Sequence, residues 1–365
     1  MNIARVFAMS RRAAVAGILF GTFLAAPPRR AHSQNVANAR SLGPPQAADI
    51  QRAVNAAYAK YKDLHEGKNA DYIPALAKVD PNVFGIALVT PDGKVYTVGD
   101  LNTQVSIQSI SKVFTLARVI QDEGEAAVLN NIGVDATGMK FNSIVAVELD
   151  RNKAEINPLV NAGAITTTSM VKGGSAEAVW NNILQTHNDF AGRQLSVLED
   201  VYKSEAETNQ RNQAIGALMF AYGKIKANPA QAVDIYTRQC AIGVNAKDLA
   251  MMAATLANGG KNPITGKQAI DQKHVPAVLA VMATAGLYDD SGKWLYRTGL
   301  PAKSGVGGGI IAVSPGKFGI AVVSPPLDEA GNSVRAQNAI ADISNALGGN
   351  PYAPRAINMA AGDVR

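Results

Sequence analysis

Residues 106–114 read SIQSISKVF, and within them Ser109-Ile110-Ser111-Lys112 places a lysine three residues after a serine. A serine hydroxyl is a poor nucleophile until a base takes its proton. A lysine can be that base if burial lowers its pKa from the usual value of about 10.4. At i and i+3 on a helix the two side chains share a face, about 5–6 Å apart at Cβ. A serine at a helix start also meets the positive end of the dipole, which favours a developing oxyanion. The spacing alone is weak, because the chain carries it three times. Ser169-Met170-Val171-Lys172 lies in a helix-like run, and Ser314-Pro315-Gly316-Lys317 reads as a turn. Only the pair at 109 and 112 opens a helix just after a strand region. Val113, Leu116, Ala117 and Ile120 then recur at helical spacing.

A second motif sets that pair apart. Lys303-Ser304-Gly305 precedes an expected strand at Gly309–Val313, in the run GLPAKSGVGGGI. This resembles the penicillin-binding proteins and serine β-lactamases, which set an SxxK helix beside a KTG strand. Such a strand edge can supply a backbone N–H to an oxyanion hole. Glycines at 305 and 307–309 let a substrate approach the backbone.

Around these motifs the pattern is α+β. FGIALVTPDGKVYTVGD, 84–100, reads as two strands about a Pro-Asp-Gly turn. GGIIAVSPGKFGIAVVS, 308–324, reads as a second hairpin turning at 314–317. Helical patterns cover 47–64 and 331–347, and most of 121–290. The expected fold is an antiparallel sheet flanked by terminal helices, with an inserted helical lobe, like the serine β-lactamases and penicillin-binding proteins. Sheet parts fall at 47–120 and 291–347, the lobe at 121–290 and a loose tail at 348–365. The seam between sheet and lobe is the expected pocket.

The first 33 residues combine Arg5, Arg11 and Arg12, an apolar run from Ala13 to Ala26, and Ala31-His32-Ser33. That is the pattern of an export signal cleaved after Ser33, followed by a linker at 34–46. The expected location is the periplasm, or the cytoplasm if the leader stays uncleaved. No lasting membrane anchor is expected. The leader holds five arginines and no acidic residue, so its removal takes the formal charge from +6 to +1. The basic balance is therefore no argument for a nucleic-acid partner. One cysteine, Cys240, excludes an internal disulfide. Histidines at 32, 65, 187 and 274 are far apart, with no HExxH or CxxC, so neither a metal nor another cofactor is expected.

Taken in order, several blocks resemble the serine-dependent glutaminases, the bacterial and kidney-type group with a β-lactamase-like fold. They are DYIPALAKVDP (71–81), IQSISKVF (107–114), NPLVNAGAI (157–165), SEAETNQRNQAIG (204–216), YTRQCAIGV (236–244), MAATLANGGKNPITG (252–266), GLYDDSGKW (286–294) and GLPAKSGVGGGI (299–310). The resemblance spans about 50 to 345. It implies hydrolysis of L-glutamine to L-glutamate and ammonia through a serine acyl-enzyme. It implies Ser109 as nucleophile, Lys112 as proton acceptor and Tyr288 as a substrate-contacting residue that aids proton transfer. Val306 would give its N–H to the oxyanion hole with that of Ser109. Asn161, Glu205, Asn212, Tyr236 and Tyr72 match substrate-binding positions. Ala206, Trp294 and Arg297 depart from the usual family pattern. The family tends to form dimers or tetramers. Two alternatives share parts of the pattern: a β-lactamase or D-alanyl peptidase, which would need a Ser-Asp-Asn motif not found in the helical middle, and an exported amino-acid-binding protein without activity.

Overall fold

The structure is a computed structural model and describes residues 46–150 and 154–353. The expected leader (1–33), nearly all of the linker (34–46) and most of the tail (348–365) lie outside the described residues.

Seven strands are described: β1 (Gly85–Val89), β2 (Val95–Gly99), β3 (Val105–Ser106), β4 (Gly243–Val244), β5 (Ala302–Gly305), β6 (Gly309–Ser314) and β7 (Phe318–Val323). Five make one sheet in the order β2-β1-β7-β6-β5, with antiparallel pairing throughout. Both sequence hairpins are present, and they join through β1 and β7, with Leu88 opposite Ile320. The turn of the second is set by Pro315 and by Gly316 at φ +71°, with Lys317 N bonded to Ser314 O at 3.0 Å.

Fourteen helices are described. They run α1 (Ala47–Tyr61), α2 (Pro74–Ala77), α3 (Ser111–Glu123), α4 (Glu125–Asn131), α5 (Ile144–Asp150), α6 (Asn161–Met170) and α7 (Ala176–Ala191). They continue as α8 (Glu199–Thr208), α9 (Gln210–Ala221), α10 (Pro229–Cys240), α11 (Ala246–Ala257), α12 (Val275–Ala285), α13 (Ser291–Thr298) and α14 (Val334–Leu347). No helix among the described residues is long and apolar enough to cross a membrane.

The central strands are apolar at almost every position because both faces of the sheet are covered. Ile86, Leu88, Ile310, Phe318, Ile320 and Val322 face α1 and α14, which bring Ile50, Val54, Ala336, Ile340 and Ile343. Ala87, Val89, Ile311, Val313, Ala321 and Val323 face the other way, onto Leu249, Ala250, Ala253 and Ala254 of α11. The period of two along each strand sorts one run of sequence into two cores. Helix α11 comes from within 121–290, yet it belongs to the sheet layer. Its alanines allow that: a Cβ at Gly319 of β7 would lie 2.0 Å from the backbone N of Ala254. The helix start is fixed by a capping box, with Asp248 N on Asn245 Oδ1 at 3.0 Å and Asn245 N on Asp248 Oδ2 at 2.9 Å.

Helices α6, α9 and α10 share a separate core around Ile165, Ile215, Met219, Val233 and Tyr236. Helix α3 runs between this group and the sheet layer, with Val113, Phe114, Leu116, Val119 and Ile120 buried. Strands β3 and β4 form a two-stranded ribbon that delivers the chain to α3.

Candidate active site

The ribbon sets the first element of the site. Ile107 N bonds to Ile242 O at 2.8 Å, which holds the chain just before the turn. Gln108, Ser109 and Ile110 then form a single 3-10 turn, and the α-helix begins at Ser111. Ser109 thus lies two residues ahead of the first residue of the α-helix, in the 3-10 turn, whereas its spacing predicts a helix from Ser109. The cause is Gln108, whose φ of +49° is left-handed and rare for a residue that is neither Gly nor Asn. Ser109 still sits at the amino end of α3, and it is 6% exposed.

Lys112 is buried on α3. Its Nζ donates to Asn161 Oδ1 at 2.7 Å and to Leu159 O at 3.2 Å. Both acceptors are neutral, so these bonds repay only part of the hydration an ammonium loses on burial. Burial lowers the Lys112 pKa to about 8. The chain of contacts continues: Asn161 Nδ2 donates to Asn212 Oδ1 at 2.9 Å, and the Tyr236 hydroxyl donates to Asn161 Oδ1 at 3.2 Å. Asn161 is the first residue of α6, and its side chain makes no cap. Its backbone N is bonded to Phe141 O at 2.8 Å, which leaves the amide aimed at the lysine.

Glu205, on α8, is buried and accepts from Gln108 Nε2 at 3.2 Å. Burial pushes its carboxyl up to about 7, while the Gln108 bond and the charge of Lys112 pull it back. The same Gln108 nitrogen reaches Ser106 Oγ at 3.1 Å. Ser204 Oγ accepts from Ala75 N at 3.1 Å, tying α8 to the segment that carries Tyr72. Tyr72 is at the rim, 53% exposed, within the electrostatic reach of Glu205 and Tyr288.

Tyr288 follows α12, with φ +53° and a buried ring. Its hydroxyl donates to Ser304 O at 3.3 Å. Burial pushes the phenol up to about 12, opposed by hydrogen bonding to Ser109 and Ser304. One side of the ring faces Lys303 Nζ, 4.0 Å from its centroid, and the Phe141 ring lies 4.8 Å away. Lys303 is fully buried, and its Nζ donates to Gly286 O at 2.9 Å and Ser304 O at 2.7 Å. Loss of hydration, and then the charge of Lys112, hold it well below the ordinary lysine range.

Lys303-Ser304-Gly305 does not merely precede a strand. It forms the edge strand β5, because pairing of Lys303 with Ile311 and Ser304 with Ile310 outweighs its low strand propensity. The turn into β6 presses on the turn that bears Ser109. A Cβ at Gly305 would lie 2.7 Å from Ile107 O, and one at Gly307 would lie 2.3 Å from Ser106 O. Only glycine permits that approach, which seats Gly305 and Gly307, on either side of Val306, against the backbone that leads into Ser109.

Ser109, Lys112, Asn161, Glu205, Asn212, Tyr236, Tyr288 and Val306 therefore converge, with Tyr72 at the mouth. The other two serine–lysine spacings do not. Ser169 Oγ is bonded to Thr166 O at 2.6 Å, and Lys172 pairs with Glu123 at 3.0 Å on the surface. Ser314 Oγ and Lys317 Nζ tie the hairpin to Gly349 O and Gly348 O. Trp294 is buried and donates to Leu300 O, whereas Arg297 is exposed and bonds Asn338 on the surface. Sequence reasoning missed Gln108, Ser106 and Phe141. Gln108 could have been flagged by its place beside Ser109, but its conformation has no local signal. Among the described residues no group of three or more His, Cys, Asp or Glu could hold a metal ion.

Comparison with known proteins identifies the family of the chain. A family model described as Glutaminase matches residues 67–352. A glutaminase of Colwellia psychrerythraea is 54% identical over 308 residues, covering 84% of this chain and 99% of that protein. The solved structure described as "Probable glutaminase ybaS" is 47% identical with a TM-score of 0.83, covering 85% of this chain and all of that one. The Bacillus subtilis structure described as a probable glutaminase complexed with 6-diazo-5-oxo-L-norleucine is 30% identical with a TM-score of 0.74, covering 84% and 97%.

Proposed function

The chain belongs to the glutaminase family, an amidohydrolase family that converts L-glutamine to L-glutamate and ammonia, and on that premise we propose how its residues divide the reaction. Neutral Lys112 takes the proton of Ser109 Oγ. The oxygen attacks the side-chain amide carbon of glutamine. The backbone N–H groups of Ser109 and Val306 receive the oxyanion. A proton passes to the amide nitrogen by way of Lys112 and the Tyr288 hydroxyl. The C–N bond breaks, ammonia leaves, and a γ-glutamyl ester remains on Ser109. Water then attacks the ester, with Lys112 again as base. Glutamate leaves, and the serine recovers its proton.

Glu205 pairs with the substrate ammonium, and Gln108 keeps that carboxylate ionised by donating to it. Asn161, Asn212, Tyr236 and Tyr72 offer neutral hydrogen bonds to the remaining polar groups. A substrate that leaves buried partners empty is rejected strongly, which disfavours shorter analogues.

One observation carries this reading: the Lys112 amine is buried against two neutral oxygens, at 2.7 and 3.2 Å, one helical turn from Ser109. Ammonia release from glutamine by purified protein, compared with Ser109→Ala, tests it. Loss of at least about 10³-fold is expected for removal of a nucleophile. Equal rates would remove Ser109 from the mechanism.

The protein acts as a homo-oligomer, a dimer or a tetramer. Exposed Val145 and Leu149 on α5 and Phe220 on α9 support association, and light scattering on the purified protein tests it. Export to the periplasm, with cleavage after Ser33, is supported by the basic start and apolar run of 1–33. Mass spectrometry of the cell-derived N-terminus tests that.

A further inference from the structure

Tyr288 carries a conformational cost that something must hold. Its φ of +53° is left-handed. For a bulky side chain that conformation is costly and persists only when the surroundings impose it. Rotation of the Leu287–Tyr288 peptide would relieve it, and would carry the phenol away from Ser109.

The two ends of that peptide are tied. On one side, Leu287 N donates to Ser291 Oγ at 2.9 Å, and Ser291 Oγ donates to Tyr288 O at 2.8 Å. On the other, Leu287 O accepts from Asp290 N at 3.0 Å within the same turn, and from outside it Asn332 Nδ2 adds a second, longer bond at 3.4 Å. Asn332 is fully buried, and its Oδ1 has no partner. The amide cannot be turned round, because Oδ1 would then face a carbonyl oxygen.

Asn332 is itself aimed by a tight turn. Asp328 N bonds to Asn332 O at 2.9 Å, and Asn332 N bonds to Asp328 Oδ1 at 2.9 Å. Gly331, at φ +93°, lies against the Tyr288 ring and Val306: a Cβ there would sit 3.6 Å from Tyr288 Cε2 and 3.7 Å from Val306 Cγ1. Leu327, next to the turn, packs with Val306, Ile73 and Leu76, and pairs with Lys68 through two backbone bonds of 2.8 and 3.0 Å. One turn thus backs the tyrosine, the oxyanion-hole residue and the segment bearing Tyr72.

We propose that Asn332 is a positioning residue for Tyr288: by holding the Leu287 carbonyl it keeps the left-handed backbone at 288, and with it the phenol, against Ser109. The inference rests on the role given to Tyr288 above. It concerns the rate of the chemical steps more than the grip on substrate, since Asn332 touches no residue assigned to the ammonium or carboxylate.

The test is a double-mutant cycle of Asn332→Ala and Tyr288→Phe, read as kcat and KM for glutamine. Tyr288→Phe is expected to lower kcat by about 10²-fold or more. Asn332→Ala is expected to lower kcat roughly 10- to 100-fold with KM within about threefold, as for a misplaced catalytic group. On the Tyr288→Phe background, Asn332→Ala is expected to cost less than about twofold, because the group it positions is gone. Multiplicative effects would overturn the proposal, and so would an unchanged kcat in Asn332→Ala. If Tyr288→Phe alone were silent, the role of Tyr288 would fail instead, which separates the two outcomes. Should Asn332→Ala not fold, Asp328→Ala loosens the same turn from a half-buried site. It must show the same non-additivity for the proposal to stand.

Discussion

Replacing Asn161 with aspartate puts the base hypothesis at risk. Asn161 Oδ1 is 2.7 Å from Lys112 Nζ, so Asn161→Asp sets a carboxylate against the amine without changing its size. Full Coulomb attraction at that distance is about 6 kcal/mol at an effective dielectric of about 20, or roughly 4.5 pH units. Desolvation of the new carboxylate works against this, and adjacent opposite charges generally move a pKa by about one to three units. The smaller range is the one to use. The direction is upward: the pair stabilises the ammonium, so Lys112 leaves its value of about 8 for roughly 9–11. Only the neutral amine can accept a proton. At pH 8 about half of the native lysine is neutral, against roughly 10% to 0.1% in the variant. The kcat at saturating glutamine should therefore fall roughly 5- to 500-fold at pH 8 and recover as the pH rises through 10. The assay is ammonia release across pH 6–11, followed as kcat so that Glu205, the proposed partner of the substrate ammonium, stays out of the profile. An acid limb left near pH 8 with a uniformly lower kcat would refute Lys112 as the base.

Other substitutions test different parts of the molecule. Gln108→Ala removes the donor that holds Glu205 ionised, so the carboxyl rises above its value of about 7. Weaker ammonium binding then follows on the acid side: KM for glutamine should rise several-fold at pH 6.5 and approach the native value near pH 8.5, and a pH-independent KM ratio would count against the pairing. Gly319→Ala forces a methyl group to within 2.0 Å of the Ala254 backbone, so α11 must lift from the sheet. A loss of about 3 kcal/mol, seen as a fall in Tm of roughly 5–10 °C, is expected by thermal denaturation, and an unchanged Tm would show that α11 packs elsewhere.

Much of the frame could be read from local signals. Pro-Asp-Gly at 91–93 and Pro-Gly at 315–316 set both hairpins, since each turn needs a residue with positive φ where glycine stands. The serine–lysine pair and Lys303-Ser304-Gly305 could be singled out because each stands where a helix or strand edge begins. What could not be read depends on partners distant in sequence. Helix α11 is legible as a helix, but its seat on the sheet depends on Gly319, more than sixty residues away. Asn161 has a residue type that favours caps, but it stands inside the helix as its first residue, and its side chain goes to Lys112 and Asn212. Lys303 looks like a surface residue before a strand, and only pairing with Ile311 makes it part of one.

The deepest of these hidden features is strain. Two non-glycine residues among those described have positive φ, Gln108 and Tyr288, and each belongs to a group that reaches Ser109. Neither glutamine nor tyrosine announces such a backbone, so no local rule finds them. Their cost is met by contacts on separate elements: Glu205 and Ser106 for Gln108, Ser291 and Asn332 for Tyr288. Local preference and global fold disagree at both points, and such disagreement is tolerated mainly where chemistry benefits. A relaxed Gln108 would turn its amide from Glu205, and a relaxed Tyr288 would turn its phenol from Ser109. Ser109 is thus flanked by two groups that the rest of the fold holds against their own preference. The serine's precision is therefore a property of α8 and of the 328–332 turn as much as of the helix on which it begins.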